Sequence, residues 1–112
     1  MPLSGRPVEI VIPAGDIASA GKVKVTAQFT AQGSGSDWGA SQTIAMFREQ
    51  SGSTVYGGYS GVSGTRLPFT LMAVFPVAAG QEVKCGIFGS VSGASAMTLW
   101  DVNVVAELIP GP

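Results

Sequence analysis

Histidine is absent from the 112 residues of the chain, and Cys85 is its only cysteine. Without imidazole the chain lacks the most common general base, the usual zinc ligand and the central residue of most catalytic triads. A single cysteine cannot form an internal disulfide, and its place within a strand pattern is typical of a small buried hydrophobe. Phosphate-binding and calcium-binding loop motifs are missing as well. We therefore expect no enzymatic activity, no metal site and no cofactor.

Charged residues are also scarce, at 12% of the chain, about half of the usual share. Six basic and seven acidic residues are scattered singly and give a net charge of −1. Because no basic run exists, neither nucleic-acid binding nor polybasic membrane anchoring is expected. The first fifteen residues lack a signal-peptide pattern, and no apolar run reaches the roughly 18 residues of a membrane span. These absences predict a soluble protein that is made in a cytoplasm.

The apolar periodicity of a long helix is missing too, whereas strand-like runs recur about every ten residues. With 16 glycines and 7 prolines between the runs, the pattern predicts one all-β domain, an antiparallel jelly-roll-like β-sandwich of about seven or eight strands. We expect the sandwich to cover residues 8–109, between an extended N-terminal arm at 1–7 and a short tail at 110–112. The expected strands cover residues 8–12, 22–31, 43–49, 54–56, 67–77, 82–88 and 97–109.

Residues 67–77 form the most apolar of these runs, with hydrophobic side chains on nearly every position. A strand has this composition when both of its faces are buried. Pro68 and Pro76 remove two hydrogen-bond donors, which predicts an edge strand or a bend near each end. The four residues 78–81 then lead into residues 82–88, a spacing that favours a tight antiparallel pair.

The two faces of this run are expected to have different roles. Phe69 and Phe75 share a face with Leu67, Leu71 and Ala73, and its larger apolar area assigns it to the sandwich core. The opposite face is expected to meet another subunit, since 46% hydrophobic residues with few charges leave a small monomer short of solubilising surface. The predicted oligomer interface consists of Pro68, Thr70, Met72 and Val74.

Aromatic residues in two glycine-rich segments are a second candidate for contacts. Trp38, Tyr56 and Tyr59 lie among residues too small to bury them locally, and exposed tryptophan and tyrosine often anchor interfaces and sugar sites. They could equally fold back over an open end of the sandwich. In the last strand, alternation places Trp100 with the even-numbered residues 102–108 on one face and Leu99 on the other.

Three stretches carry a resemblance to a known group of folds: residues 21–27 (GKVKVTA), 79–83 (AGQEV) and 104–109 (VVAELI). With the strands around them they resemble the compact jelly-roll heads of the tumour-necrosis-factor and complement-globular-head type. Similar small sandwiches occur in bacteriophages as capsid decoration, or cement, proteins and as tail-fibre tips. The resemblance extends over most of residues 8–109 and implies a homotrimer.

Two functions follow from the resemblance as expectations. The first is a structural virion protein, a capsid decoration or cement subunit made in the host cytoplasm. Its partners would be other copies of itself and the major capsid protein or another virion protein. The alternative is a receptor- or carbohydrate-binding tip of a phage tail fibre, which would act through Trp38, Tyr56 and Tyr59.

Overall fold

Seven β-strands make up nearly all of the regular structure in the computed structural model, which describes residues 5–34, 42–50, 52–60, 67–91 and 96–111. One short 3₁₀ turn, Ala14–Asp16, precedes the second strand. The all-β prediction is thereby confirmed. The strands are β1 (Gly5–Ile12), β2 (Gly21–Ser34), β3 (Gln42–Glu49), β4 (Ser53–Ser60), β5 (Leu67–Val77), β6 (Val83–Val91) and β7 (Ala96–Pro110).

The strands form two antiparallel sheets that pack as a sandwich. One sheet has four strands in the order β1-β6-β3-β4, and the other has three in the order β5-β2-β7. Among the described strands, β3 and β4 are the one consecutive pair that shares a ladder, so the chain crosses between sheets at the other connections. A jelly roll has eight strands. Since seven are described, the jelly-roll assignment stays a prediction.

The predicted tight pair between residues 67–77 and 82–88 is wrong. β5 pairs with β2, whereas β6 lies in the other sheet between β1 and β3. A short connection can join two strands of one sheet or cross the roughly 10 Å between stacked sheets. Here Gln50, the residue after β3, supplies three hydrogen bonds to the connection, and the Gly80 amide donates a further one to the Ile17 carbonyl at 2.8 Å. The side-chain amide of Gln50 donates to the carbonyls of Ala78 and Gln81 at 3.0 and 3.1 Å and accepts from the Ala78 amide at 2.7 Å.

The core lies between the sheets and follows from strict alternation in β2 and β5. Val23 lies opposite Phe75 and Ala27 opposite Leu71, and all four side chains are buried. From the other sheet the core receives Ile44, Met46, Val83, Cys85 and Ile87. The predicted core face of residues 67–77 is thus confirmed at Leu71, Ala73 and Phe75, while Phe69 is half-buried and Leu67 is exposed.

Both termini of the sandwich differ from the predicted boundaries. β1 begins at Gly5 rather than at residue 8, and β7 continues to Pro110. Residues 5–7 therefore belong to the sheet and not to an arm, since Gly5 pairs with Gly89 of β6. Side chains of β1 and β3 also hold Arg6. Residues 1–4 and 112 lie outside the described part of the chain.

A β-bulge divides β7 into two halves with opposite alternation. Gln28 of β2 lies opposite Asn103, but Thr30 lies opposite Trp100, so β7 carries one extra residue there. Asp101 absorbs it with a left-handed φ of 54°. As a result Leu99 is buried in the core and Trp100 lies on the outer face beside Thr30. The prediction that placed Trp100 with the even-numbered residues of the later half is therefore wrong.

Candidate functional site

The outer face of the three-stranded sheet carries the predicted oligomer interface. Cross-strand partners share a face, so the ladder registers place the outward side chains in rows that run from β5 across β2 to β7. The middle residue of every row belongs to β2, whose outward side chains are polar. The rows are Pro76, Lys22 and Ile109; Val74, Lys24 and Glu107; Met72, Thr26 and Val105; Thr70, Gln28 and Asn103; and Pro68, Thr30 and Trp100.

Large apolar side chains are exposed on both sides of β2. Met72 has 63% of its surface exposed and Val74 44%, although the residues on either side of them in β5 are buried. On the β7 side, Val105 is 47% exposed and Ile109 43%. Clustered exposed hydrophobic residues mark interaction surfaces more often than isolated ones do. The four predicted interface residues Pro68, Thr70, Met72 and Val74 all lie exposed along this one face.

β5 forms one edge of this sheet, and in the described part of the chain no strand lies beyond it. The edge position that Pro68 and Pro76 predicted is confirmed. Proteins commonly blunt such edges with charges, bulges or prolines. β5 has a proline near each end and no charged residue between Leu67 and Val77. The middle of this edge strand therefore carries no charge and no proline.

The side chains of the predicted aromatic contacts lie outside the described part of the structure. Trp38 lies outside the described residues, as do the side chains of Tyr56 and Tyr59. The backbone of β4 places Tyr56 opposite Met46 and Tyr59 opposite Ile44.

A cluster of charged side chains connects β1 and β3 on the outer face of the four-stranded sheet. Arg6 of β1 donates to Glu9 at 3.2 Å and forms an ion pair with Glu49 of β3. Its guanidinium carbon also lies 4.2 Å from the ring centroid of Phe47, which is buried on this outer face. The hydrogen bond and charge of Arg6 hold the pKa of Glu49 below its ordinary value. This cluster ties β1 to β3 across β6, and we interpret it as structural. Sequence reasoning missed it because its members lie up to 43 residues apart.

Shallow depressions also occur on the described surface, and one of about 440 Å³ is lined by Ala20, Gly21, Lys22, Ile109, Pro110 and Gly111. A depression of about 420 Å³ lies at the end of the sandwich that carries Arg48, Gln50 and Pro76. Arg48 donates to the Pro76 carbonyl at 3.1 Å, and Gln50 holds the connection after β5. The polar groups of this depression thus maintain the fold.

The described residues contain no cluster of three histidine, cysteine or acidic side chains that could hold a metal ion. Cys85 is buried in the core, where desolvation raises the pKa of its thiol to about 11. A thiol in that state is a poor nucleophile at neutral pH. Within the described ranges, no helix is long and apolar enough to cross a membrane.

No model of a known protein family matches this chain, and no curated protein matches it in sequence.

Proposed function

We propose that this protein is a structural virion subunit, a capsid decoration or cement protein that acts as a homotrimer. The observation that carries the proposal is the outer face of the three-stranded sheet, where Met72, Val74, Val105 and Ile109 are exposed together. A cement protein stabilises a shell by burying apolar surface against itself and against its neighbours, and this face offers such a surface.

The chemistry of the described residues supports a structural role over a catalytic one. Their polar clusters, Arg6 with its acidic partners and Gln50 with the β5–β6 connection, hold the fold together. The cysteine is buried and protonated at neutral pH. Among the described residues, the exposed apolar side chains of the three-stranded sheet offer contact area, and its partners would be other copies of the chain and the major capsid protein.

Electron microscopy of phage particles with a gold-labelled antibody against this protein tests the proposal. Particles would be prepared from cells that carry the gene, and a pre-immune serum would be the control. Label spread over the heads is the expected result. Label at the tail tips would favour the receptor- or sugar-binding alternative, and particles without label would contradict both functions.

A further inference from the structure

The outer face of the three-stranded sheet has two ends of different chemistry. One end carries Lys22, Lys24 and Glu107 together with the exposed apolar side chains. The other end, here called the polar end, consists of three rows of cross-strand partners in which amide and hydroxyl side chains surround one tryptophan. Its outward residues are Thr70, Gln28 and Asn103; Pro68, Thr30 and Trp100; and Gln32 and Thr98.

The bulge in β7 places the tryptophan at the polar end. Beyond the bulge, the even-numbered residues Val102 and Val104 pack against the core, and without the extra residue Trp100 would follow them inward. Asp101 instead adopts a left-handed φ of 54°, which is uncommon for a residue other than glycine. Bulges can re-aim a side chain beside a functional site, and strained backbone residues cluster at such sites. Backbone geometry and residue type thus both single out Trp100 as a contact residue.

The charge of the polar end restricts the class of ligand. Lys24 is the nearest outward cation on β2, and it lies four residues from Gln28, at a distance of about 14 Å. Nucleic acids need cations close to their phosphates, so this end is unsuited to them. The charge that does lie beside Trp100 is the exposed carboxylate of Asp101, which would repel anions. The chemistry therefore favours a neutral ligand.

The position of the polar end within the sheet argues further for a sugar. A peptide that adds to a sheet needs unpaired main-chain groups at a strand edge, whereas β2 is paired on both sides and this face presents side chains. A sugar ring has a face of C–H groups that can pack on an indole, and its hydroxyls both donate and accept hydrogen bonds, as amide side chains do. Gln28 and Asn103 are exposed opposite each other, about 7 Å along the strands from the row of Trp100.

We propose that the polar end binds a neutral oligosaccharide, with one sugar ring stacked on Trp100 and hydroxyl groups hydrogen-bonded to Gln28 and Asn103. This inference goes beyond the proposed structural role, because it uses none of the four exposed apolar residues that carry that role. It also places the sugar on different residues from Trp38, Tyr56 and Tyr59.

Isothermal titration of the full chain with cellohexaose, chitohexaose, maltohexaose and mannohexaose tests the proposal. We expect the wild type to bind at least one of them and Trp100→Ala to bind it about tenfold or more weakly, the effect of truncating an aromatic anchor. Asn103→Ala should also weaken binding. Glu107→Gln is the matched control, since Glu107 lies outward on the same strand but outside the polar end, and it should bind as the wild type does.

A wild type that binds none of these sugars would overturn the proposal, as would unchanged affinity in Trp100→Ala. Loss of binding in Trp38→Phe with full binding in Trp100→Ala would also overturn it, because the sugar would then lie at the other aromatic residues. If circular dichroism shows that Trp100→Ala is unfolded, the double variant Gln28→Ala, Asn103→Ala decides, and unchanged affinity there refutes the site. None of these results affects the immunogold test of the virion role.

Discussion

Replacing Phe75 with alanine should remove a large part of the stability of the subunit. The ring has 0% of its surface exposed and lies opposite Val23 in the β5–β2 ladder. Truncation of a buried phenylalanine costs about 3–5 kcal/mol, because transfer free energy is lost and a cavity remains. Small domains have a total stability of about 5–15 kcal/mol. The variant should therefore be marginally stable or unfolded.

Urea unfolding followed by circular dichroism measures this effect. With an m value of about 2 kcal/mol per molar, a loss of about 4 kcal/mol lowers the midpoint by about 2 M. Phe69→Ala should lose less, because Phe69 is only half-buried; its stacking on Phe29, with ring centroids 5.8 Å apart, is the main contact that this change removes. The exposed Val55→Ala is the control and should change stability by no more than about 0.5 kcal/mol. All variants are compared at one protein concentration, because association adds to stability.

An unchanged midpoint for Phe75→Ala would refute the assignment of faces in β5. A shift of one residue in the β5–β2 register would exchange the two faces and place Met72 and Val74 in the core.

Three further variants or treatments test other parts of the structure. Gly86→Ala should detach β1 from β6, because Gly86 has a φ of 151° and an added Cβ would lie 2.1 Å from the Val8 carbonyl oxygen. The measurement is hydrogen exchange of the β1 amides, which should become much faster. Glu49→Gln should destabilise the protein at neutral pH and lose this effect in acid. Because the pKa of Glu49 is lower in the folded state, the ionised carboxylate stabilises the fold at pH values above its unfolded pKa of about 4.3, and this stabilisation is lost as the pH falls through the folded pKa. Equal urea midpoints of the variant and the wild type at pH 7 would contradict the ion pair. Cys85 should not react with a thiol reagent at pH 8 in the folded protein and should react fully in urea, and rapid labelling of the native protein would refute its burial.

Strand positions could be predicted well because the evidence for them is local. Alternation in residues 22–31 identified β2, and the apolar run of residues 67–77 identified the bounds of β5. Pro68 and Pro76 predicted an edge strand or a bend near each end, and β5 is an edge strand. The separation of β5 into a core face and an exposed face follows from the same alternation. Met72 and Val74 accordingly lie exposed on the face opposite the core, and their place in an oligomer interface stays a prediction.

Pairing and fine register could not be predicted because they depend on distant residues. A connection as short as residues 78–82 fits a hairpin and a crossing between sheets equally well, and the hydrogen bonds from Gln50 stabilise the crossing. The bulge at Asp101 reverses the alternation with one residue, which exchanges the faces of Leu99 and Trp100. No local pattern indicates either event.

One strand is buried on both faces within the described subunit, and it is β3 rather than β5. Its residues Ile44, Ala45, Met46 and Phe47 are all buried. Ile44 and Met46 face the core between the sheets, whereas on the outer face Arg6 covers the ring of Phe47. The run is only four residues long and ends at Arg48, so its apolar pattern was less conspicuous than that of residues 67–77.

The central claim is that the exposed apolar face of the three-stranded sheet holds copies of this chain together. Sedimentation equilibrium of the wild type and of Met72→Glu at micromolar concentration tests it most directly. We predict a wild-type mass of three times the 11.4 kDa of one chain. For Met72→Glu we predict the mass of one chain with a native circular dichroism spectrum, because the carboxylate would be stranded in an apolar contact only when subunits associate. A wild type that sediments as a monomer, or a Met72→Glu variant that keeps the wild-type mass, would contradict the claim.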